Sequence, residues 1–281
     1  MRLSEAYRRY IGEYLQIKGV DENQLVHFRA GIRIWCETIG DLELSKITLE
    51  MVARFKTELK TYGRHRCDNT VRNYICDLRM VLKYWKLRGE PCLDYELIPA
   101  PKREPVIPSY LSADEVQKII DSTDIVRTKF IISILYASGI RVSELVQLNR
   151  DTIRNGCFTV IGKGKKPRIC FLDARAKHYM ELYLESRTDR LDCLIATKDG
   201  TRASAETIQL IVRNATARAG IAKKVSPHTL RHSFATNYIG NGGNIRHLAD
   251  LLGHASLNTT AHYTHLVNGD LMREYMLHHT C

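Results

Sequence analysis

The chain has 281 residues, 44% of them hydrophobic, with 42 Lys and Arg against 31 Asp and Glu and a formal net charge of +11. That length suits about two domains, each able to bury a core. The composition excludes a disordered or collagen-like chain, and the positive charge favours a polyanionic partner, because cationic side chains release counterions condensed on phosphate. A generally basic protein with no specific partner is the competing reading of the charge alone. No stretch approaches about 18 apolar residues, so no membrane-spanning helix is expected. The opening MRLSEAYRRYIGEYL is charged throughout and lacks the apolar core of a signal peptide. The eight cysteines (Cys36, Cys67, Cys76, Cys92, Cys157, Cys170, Cys193 and Cys281) include no Cys-x-x-Cys pair. They are expected to be reduced thiols of a cytoplasmic protein rather than a zinc site or a disulfide framework.

Residues 1–98 predict a helical domain. From Tyr74 to Trp85 the apolar positions are Tyr74, Ile75, Leu78, Val81, Leu82 and Trp85, which form one helix face. Arg72, Asp77, Arg79 and Lys83 are expected on the opposite face. Leu25 to Ile39 reads the same way, with Phe28, Ile32 and Trp35 inward and Arg29 and Arg33 elsewhere. Residues 99–110 are expected to be a linker, since PAPKREPVIPS at 99–109 is basic and rich in proline, which breaks helices.

Residues 111–281 predict a second domain. It opens on Ser112 as a helix N-cap with Glu115 three residues on, a capping box. Helical patterns fill most of 113–150. Residues 157–172, CFTVIGKGKKPRICFL, hold two short β-prone runs around Gly-Lys-Gly-Lys-Lys, which predicts a hairpin with lysines at its tip. Residues 191–197 are expected to add a third strand, and from Ala205 onward the pattern is helical again. The chain contains no internal repeat.

Two C-terminal segments carry chemistry. In SPHTLRHSFATNYIG, residues 226–240, Ser226 caps a helix and Pro227 suits its first turn. His228 and Arg231 lie three apart on one face, near a helix start that already favours an anion. A helix start with incidental polar residues is the plain alternative. A metal reading of His228 and His232 lacks a clear third ligand. In NIRHLADLLGHASLNTTAHYTHLV, residues 244–267, a helix is expected to stop at Gly253, followed by His254 and, nine residues later, Tyr263.

Together, His228-x-x-Arg231, Leu-Leu-Gly-His254 and Thr-x-x-Tyr263 resemble the C-terminal signature of the tyrosine recombinase, or phage integrase, family. LYASGIRVSELVQL at 135–148 is similar to the family's first conserved box, with Arg141 as its arginine. IGKGKKPR resembles the family's β-hairpin, with Lys163 as its lysine. The resemblance covers residues 111–267 well and extends weakly to the N-terminal helices. It is closest in character to the Xer-type and small transposon recombinases.

The resemblance implies a mainly α fold in two domains that form a C-shaped clamp. One is a helical, SAM-like core-binding domain; the other is an α-rich catalytic domain with a small three-stranded antiparallel sheet. It implies cleavage and rejoining of duplex DNA through a 3′-phosphotyrosyl intermediate, with Arg141, Lys163, His228, Arg231, His254 and Tyr263 as the catalytic set. No cofactor and no metal are expected. The working form is a homotetramer in the synaptic complex, with accessory DNA-binding proteins as further partners and no membrane. Arg64, Arg66, Arg72, Arg79, Lys83, Lys165, Lys166 and Arg202 are candidate DNA contacts, each competing with a solvated surface role. Glu144 reads as structural and Tyr275 as packing. In the tail, residues 268–281, the apolar Leu271, Met272, Tyr275, Met276 and Leu277 are expected to dock on a neighbouring protomer, with packing on their own domain as the alternative. Two rival functions remain at this stage: a type IB topoisomerase and a non-catalytic DNA-binding regulator.

Overall fold

The computed structural model describes residues 1–20, 22–61, 67–99, 109–162 and 167–253. The chain divides into two compact units, Met1–Val106 and Ile107–Cys281, and each has its own hydrophobic core. Among the described residues no helix is long and apolar enough to cross a membrane.

The first unit contains α1 (Leu3–Arg9), continued by a π-helical turn at Tyr10–Leu15, then α2 (Glu22–Thr38), α3 (Leu49–Thr61) and α4 (Asp68–Lys86). All six apolar residues expected on one face of α4 are buried. Trp85 ties α4 to α1 by donating its indole N–H to the Ala6 carbonyl at 3.1 Å. In α2, Phe28 and Trp35 are buried, Ile32 packs partly buried against the core, and Arg29 and Arg33 are exposed. The opposite face of α4 is not uniformly polar surface, however. Asp77, expected to face solvent, is buried, with Oδ2 2.8 Å from His27 Nδ1 on α2. Burial pushes its carboxyl above the usual range, and the charge and hydrogen bond of His27 counter this. The neighbouring imidazole is what permits an acid at that position.

The second unit is built around α6 (Val126–Ser138), in which Phe130, Ile131, Ile132, Ile134 and Leu135 are fully buried. A helix apolar on all sides needs cover on all sides. It packs against α5 (Ala113–Asp121), α8 (Ala174–Glu185), α9 (Ala205–Arg218) and α10 (Pro227–Gly240). The expected capping box starts α5, with Ser112 Oγ accepting from the Glu115 N–H and the Glu115 carboxylate accepting from the Ser112 N–H. A short α7 (Val142–Leu145) follows α6, and α11 (Ile245–Leu252) ends the described chain.

The hairpin forms as β1 (Cys157–Ile161) and β2 (Pro167–Phe171), antiparallel, with Cys157 opposite Phe171 and Ile161 opposite Pro167. Strand alternation turns Phe158, Val160, Arg168 and Cys170 inward. The expected third strand is absent among the described residues, and the sheet has two strands. Residues 191–197 satisfy their backbone elsewhere. The Leu194 N–H donates to Leu148 O at 2.8 Å and the Thr197 N–H to Thr201 O at 2.8 Å. Arg187 Nη1 fills the carbonyls of Cys193 and Leu194 at 2.6 and 3.0 Å. Isolated bridges, Asn149 to Cys193 and Ala196 to Arg202, replace a ladder.

Candidate functional site

Three chain segments meet where α6, α10 and α11 approach one another. The first is the end of α6. Gly139 closes the helix in the left-handed region at φ +59, which a residue with a side chain adopts only under strain. A Cβ there would lie 2.6 Å from Phe234 Cδ1 on α10 and 3.0 Å from Leu252 Cδ2 on α11. Two residues on, Arg141 is the N-cap of α7. Its N–H donates to Glu144 Oε2 at 2.8 Å, and its Nη1 donates to Glu144 Oε1 at 2.9 Å.

The second segment is the start of α10. Ser226 Oγ accepts from the Thr229 N–H, as an N-cap should, with Pro227 in the first turn. His228 stands at this end, open to solvent on one side and enclosed by its neighbours on the other. Its Nε2 lies 2.8 Å from Nε2 of His232 one turn along, so one ring donates and the other accepts. Burial, then the charges of Arg231 and Arg141, push the His228 pKa below the ordinary imidazole value. His228 is therefore held neutral at physiological pH, the form that accepts a proton.

Arg231 lies on α10. It is buried, and its guanidinium reaches away from the start of α10. Nη1 donates to Gly139 O at 2.5 Å and Nη2 to Leu252 O at 2.7 Å. Both acceptors lie at helix C-termini, where unpaired carbonyls favour a cation. One side chain thus clamps the ends of α6 and α11, reaching 92 residues back to Gly139 and 21 residues on to Leu252.

The third segment is the end of α11, closed by Gly253 in the left-handed region at φ +63. Here the structure adds a residue that the sequence reading passed over. Arg168, on the inner face of β2, donates through Nε to Leu251 O at 3.0 Å and through Nη1 and Nη2 to the two carboxylate oxygens of Glu144 at 2.8 and 2.5 Å. Burial alone would raise the Glu144 carboxyl; the hydrogen bonds and charges of Arg168 and Arg141 win, and it is held below the usual range. The structural role expected for Glu144 is thus visible as a bridge between two arginines. The available signal for Arg168 was an arginine at an inward position of an alternating strand.

The remaining candidates are spread more widely. Arg202 is exposed and donates to Val146 O at 2.8 Å, Leu148 O at 3.0 Å and Asn149 Oδ1 at 2.7 Å. On α4, Arg79 donates to Tyr95 O at 2.8 Å, Arg72 donates to Asn73 Oδ1 at 3.3 Å, and the exposed Lys83 has its ammonium 5.5 Å from the Tyr95 ring centroid. Lys163, His254, Tyr263, Arg64, Arg66, Lys165, Lys166 and the tail at 268–281 lie outside the described residues. Among the described residues no group of three His, Cys, Asp or Glu side chains is placed to hold a metal ion, so His228 and His232 have no third ligand of that kind there.

Comparison with known proteins adds four findings. Residues 109–269 match the model of the phage integrase family. Tyrosine recombinase XerD of Oceanobacillus iheyensis is 32% identical, over 93% of this chain and 94% of that protein. Among solved structures, XerA recombinase matches with 29% identity and a TM-score of 0.57, covering 99% of both chains. A lambda integrase tetramer bound to a Holliday junction matches with a TM-score of 0.77 over 91% of this chain and 78% of that one; at 20% identity it speaks for the fold alone.

Proposed function

The chain belongs to the phage integrase family of tyrosine recombinases, and on that footing we propose that it is a site-specific recombinase that cuts and rejoins duplex DNA through Tyr263. This reading is supported by the family match over residues 109–269, which contain Arg141, His228 and Arg231. Arg231 is bonded to the residue two before Arg141, and both guanidinium charges act on His228. Lys163, His254 and Tyr263 complete the set from the sequence signature.

In the reaction, the Tyr263 hydroxyl attacks the scissile phosphorus. Its pKa is ordinarily about 10, so it needs a base at neutral pH, and His228, kept neutral, takes the proton. Negative charge growing on the non-bridging oxygens is met by Arg141 and Arg231, with a hydrogen bond from His254. The bond to the 5′ oxygen breaks, and Lys163 gives that leaving oxygen the proton that makes it a hydroxyl. A 3′-phosphotyrosyl ester remains and conserves the energy of the broken bond. Attack by a 5′ hydroxyl of the partner strand reverses the step and frees Tyr263, so the chemistry calls for neither a nucleotide cofactor nor a metal.

The partner is double-stranded DNA, in keeping with the net charge of +11. The working assembly is four protomers on two paired sites, as the lambda integrase tetramer on a Holliday junction suggests. We place the protein in the cytoplasm with its thiols reduced. The rival readings, a relaxing topoisomerase or a non-catalytic regulator, draw no support from a named recombinase that aligns along nearly the whole chain. The test is covalent capture of a nicked suicide substrate. Tyr263→Phe should abolish the denaturant-resistant protein–DNA adduct and leave binding nearly intact, because only one oxygen is lost. An adduct that persists in the Phe variant moves the nucleophile elsewhere, with Tyr275 the next candidate.

A further inference from the structure

We propose that Arg168 is a positioning residue for strand cleavage, holding the phosphate-directed arginines Arg141 and Arg231 in place from behind. The inference rests on the functional reading above and concerns a residue outside its catalytic set.

The geometry carries it. The Arg168 side chain is 5% exposed and that of Glu144 is 8% exposed, so the pair is buried in the protein. All three of its guanidinium nitrogens are engaged. Two form a fork on Glu144, and the third bonds Leu251 O. The same Glu144 carboxylate receives the backbone N–H and Nη1 of Arg141. The carbonyl next to Leu251, that of Leu252, receives Nη2 of Arg231. One planar cation therefore touches both the carboxylate that aims Arg141 and the helix end that anchors Arg231. Gly253 makes room for it: a Cβ at that position would stand 2.8 Å from Arg168 Cδ. Strand β2 thereby links the hairpin to both arginines. A lysine at 168 keeps the charge but, as a point cation on a flexible stem, cannot hold the fork and the carbonyl together.

Single-turnover cleavage by the full chain tests this on two suicide substrates that differ only at the scissile phosphate. One carries the natural diester. The other carries a methylphosphonate, which lacks the negative non-bridging oxygen that the arginines neutralise. Arg141→Ala calibrates the assay: it should be slow on the diester and largely recover on the methylphosphonate. Arg168→Lys should follow the same pattern, about 100-fold slower on the diester with most of that loss gone on the methylphosphonate. A variant that is merely less folded loses equally on both, and an equal loss overturns the inference. If Arg168→Lys fails to unfold cooperatively or to bind DNA, Glu144→Gln takes its place. It preserves shape while weakening the same fork, and equal losses on both substrates are again fatal. Should Arg141→Ala itself show no recovery, the functional reading fails and this inference falls with it. Recovery of Arg141→Ala without selectivity at Arg168 defeats the positioning role alone.

Discussion

At the scale of single residues, the site depends on holding opposite charge states side by side. Glu144 stays ionised between two guanidiniums, while His228 is kept neutral by burial and by the charges of Arg231 and Arg141. The sign for the imidazole follows directly. A lowered pKa means the neutral form survives to more acid pH, and the base is lost only when pH falls through that lowered value. Adduct formation measured against pH should therefore show an acid limb with its midpoint below about 6.5, the value of a free imidazole. The limb should vanish in His228→Ala, leaving a slow rate without that dependence. A limb at or above the free-imidazole value, or one unchanged in the Ala variant, would remove His228 from the role of base.

At the scale of elements, the site exists because the ends of α6 and α11 are brought beside the start of α10 by arginines that close the orphan carbonyls of those two ends. Gly139 is the tightest point of that junction. Gly139→Ala forces a left-handed conformation and drives Cβ toward Phe234 and Leu252. It should destabilise the fold by about 2–3 kcal/mol in urea unfolding and slow cleavage, since the Gly139 carbonyl holds Arg231. Gly240, at the end of α10, has open space beside it, and Ala there should cost little or nothing. Equal effects at the two glycines would refute the crowded-junction account. What the sequence announced was local. The α4 face, the Ser112 and Ser226 caps, the two paired strands of the hairpin and the Gly253 stop all follow from periodicity or from a residue's own backbone preference. What it concealed was long-range. Arg168 meets Glu144 across 24 residues and Leu251 across 83, and its acceptors include a carbonyl, which every residue has. Residues 191–197 read as a strand because Leu194, Ile195 and Ala196 are consecutive and apolar. They are indeed buried, but burial of a short run does not say whether its hydrogen bonds go to a strand or to loops.

At the scale of the whole molecule, binding and chemistry draw on positive charge in different settings. The excess of 42 basic over 31 acidic residues is a property of the entire chain. Attraction of DNA to such a surface works through counterion release and weakens steeply with salt. The charges assigned to the transition state are set differently. The side chain of Arg141 is 35% exposed before DNA binds, and Arg231 is 4% exposed. Bound duplex would cover both, and buried charges are screened far less than exposed ones. The two dependences should therefore separate. Between about 50 and 200 mM salt, affinity for a site should fall by about 10³–10⁵ if six to ten phosphates are contacted. Over the same range, the single-turnover cleavage rate, measured with protein in excess and all DNA bound, should stay nearly constant. The measurement pairs a binding titration with rapid-quench cleavage at each salt concentration. A cleavage rate at saturation that declines in step with affinity would mean that Arg141 and Arg231 remain solvent-screened in the complex, and the division between surface attraction and a protected catalytic charge would have to be abandoned.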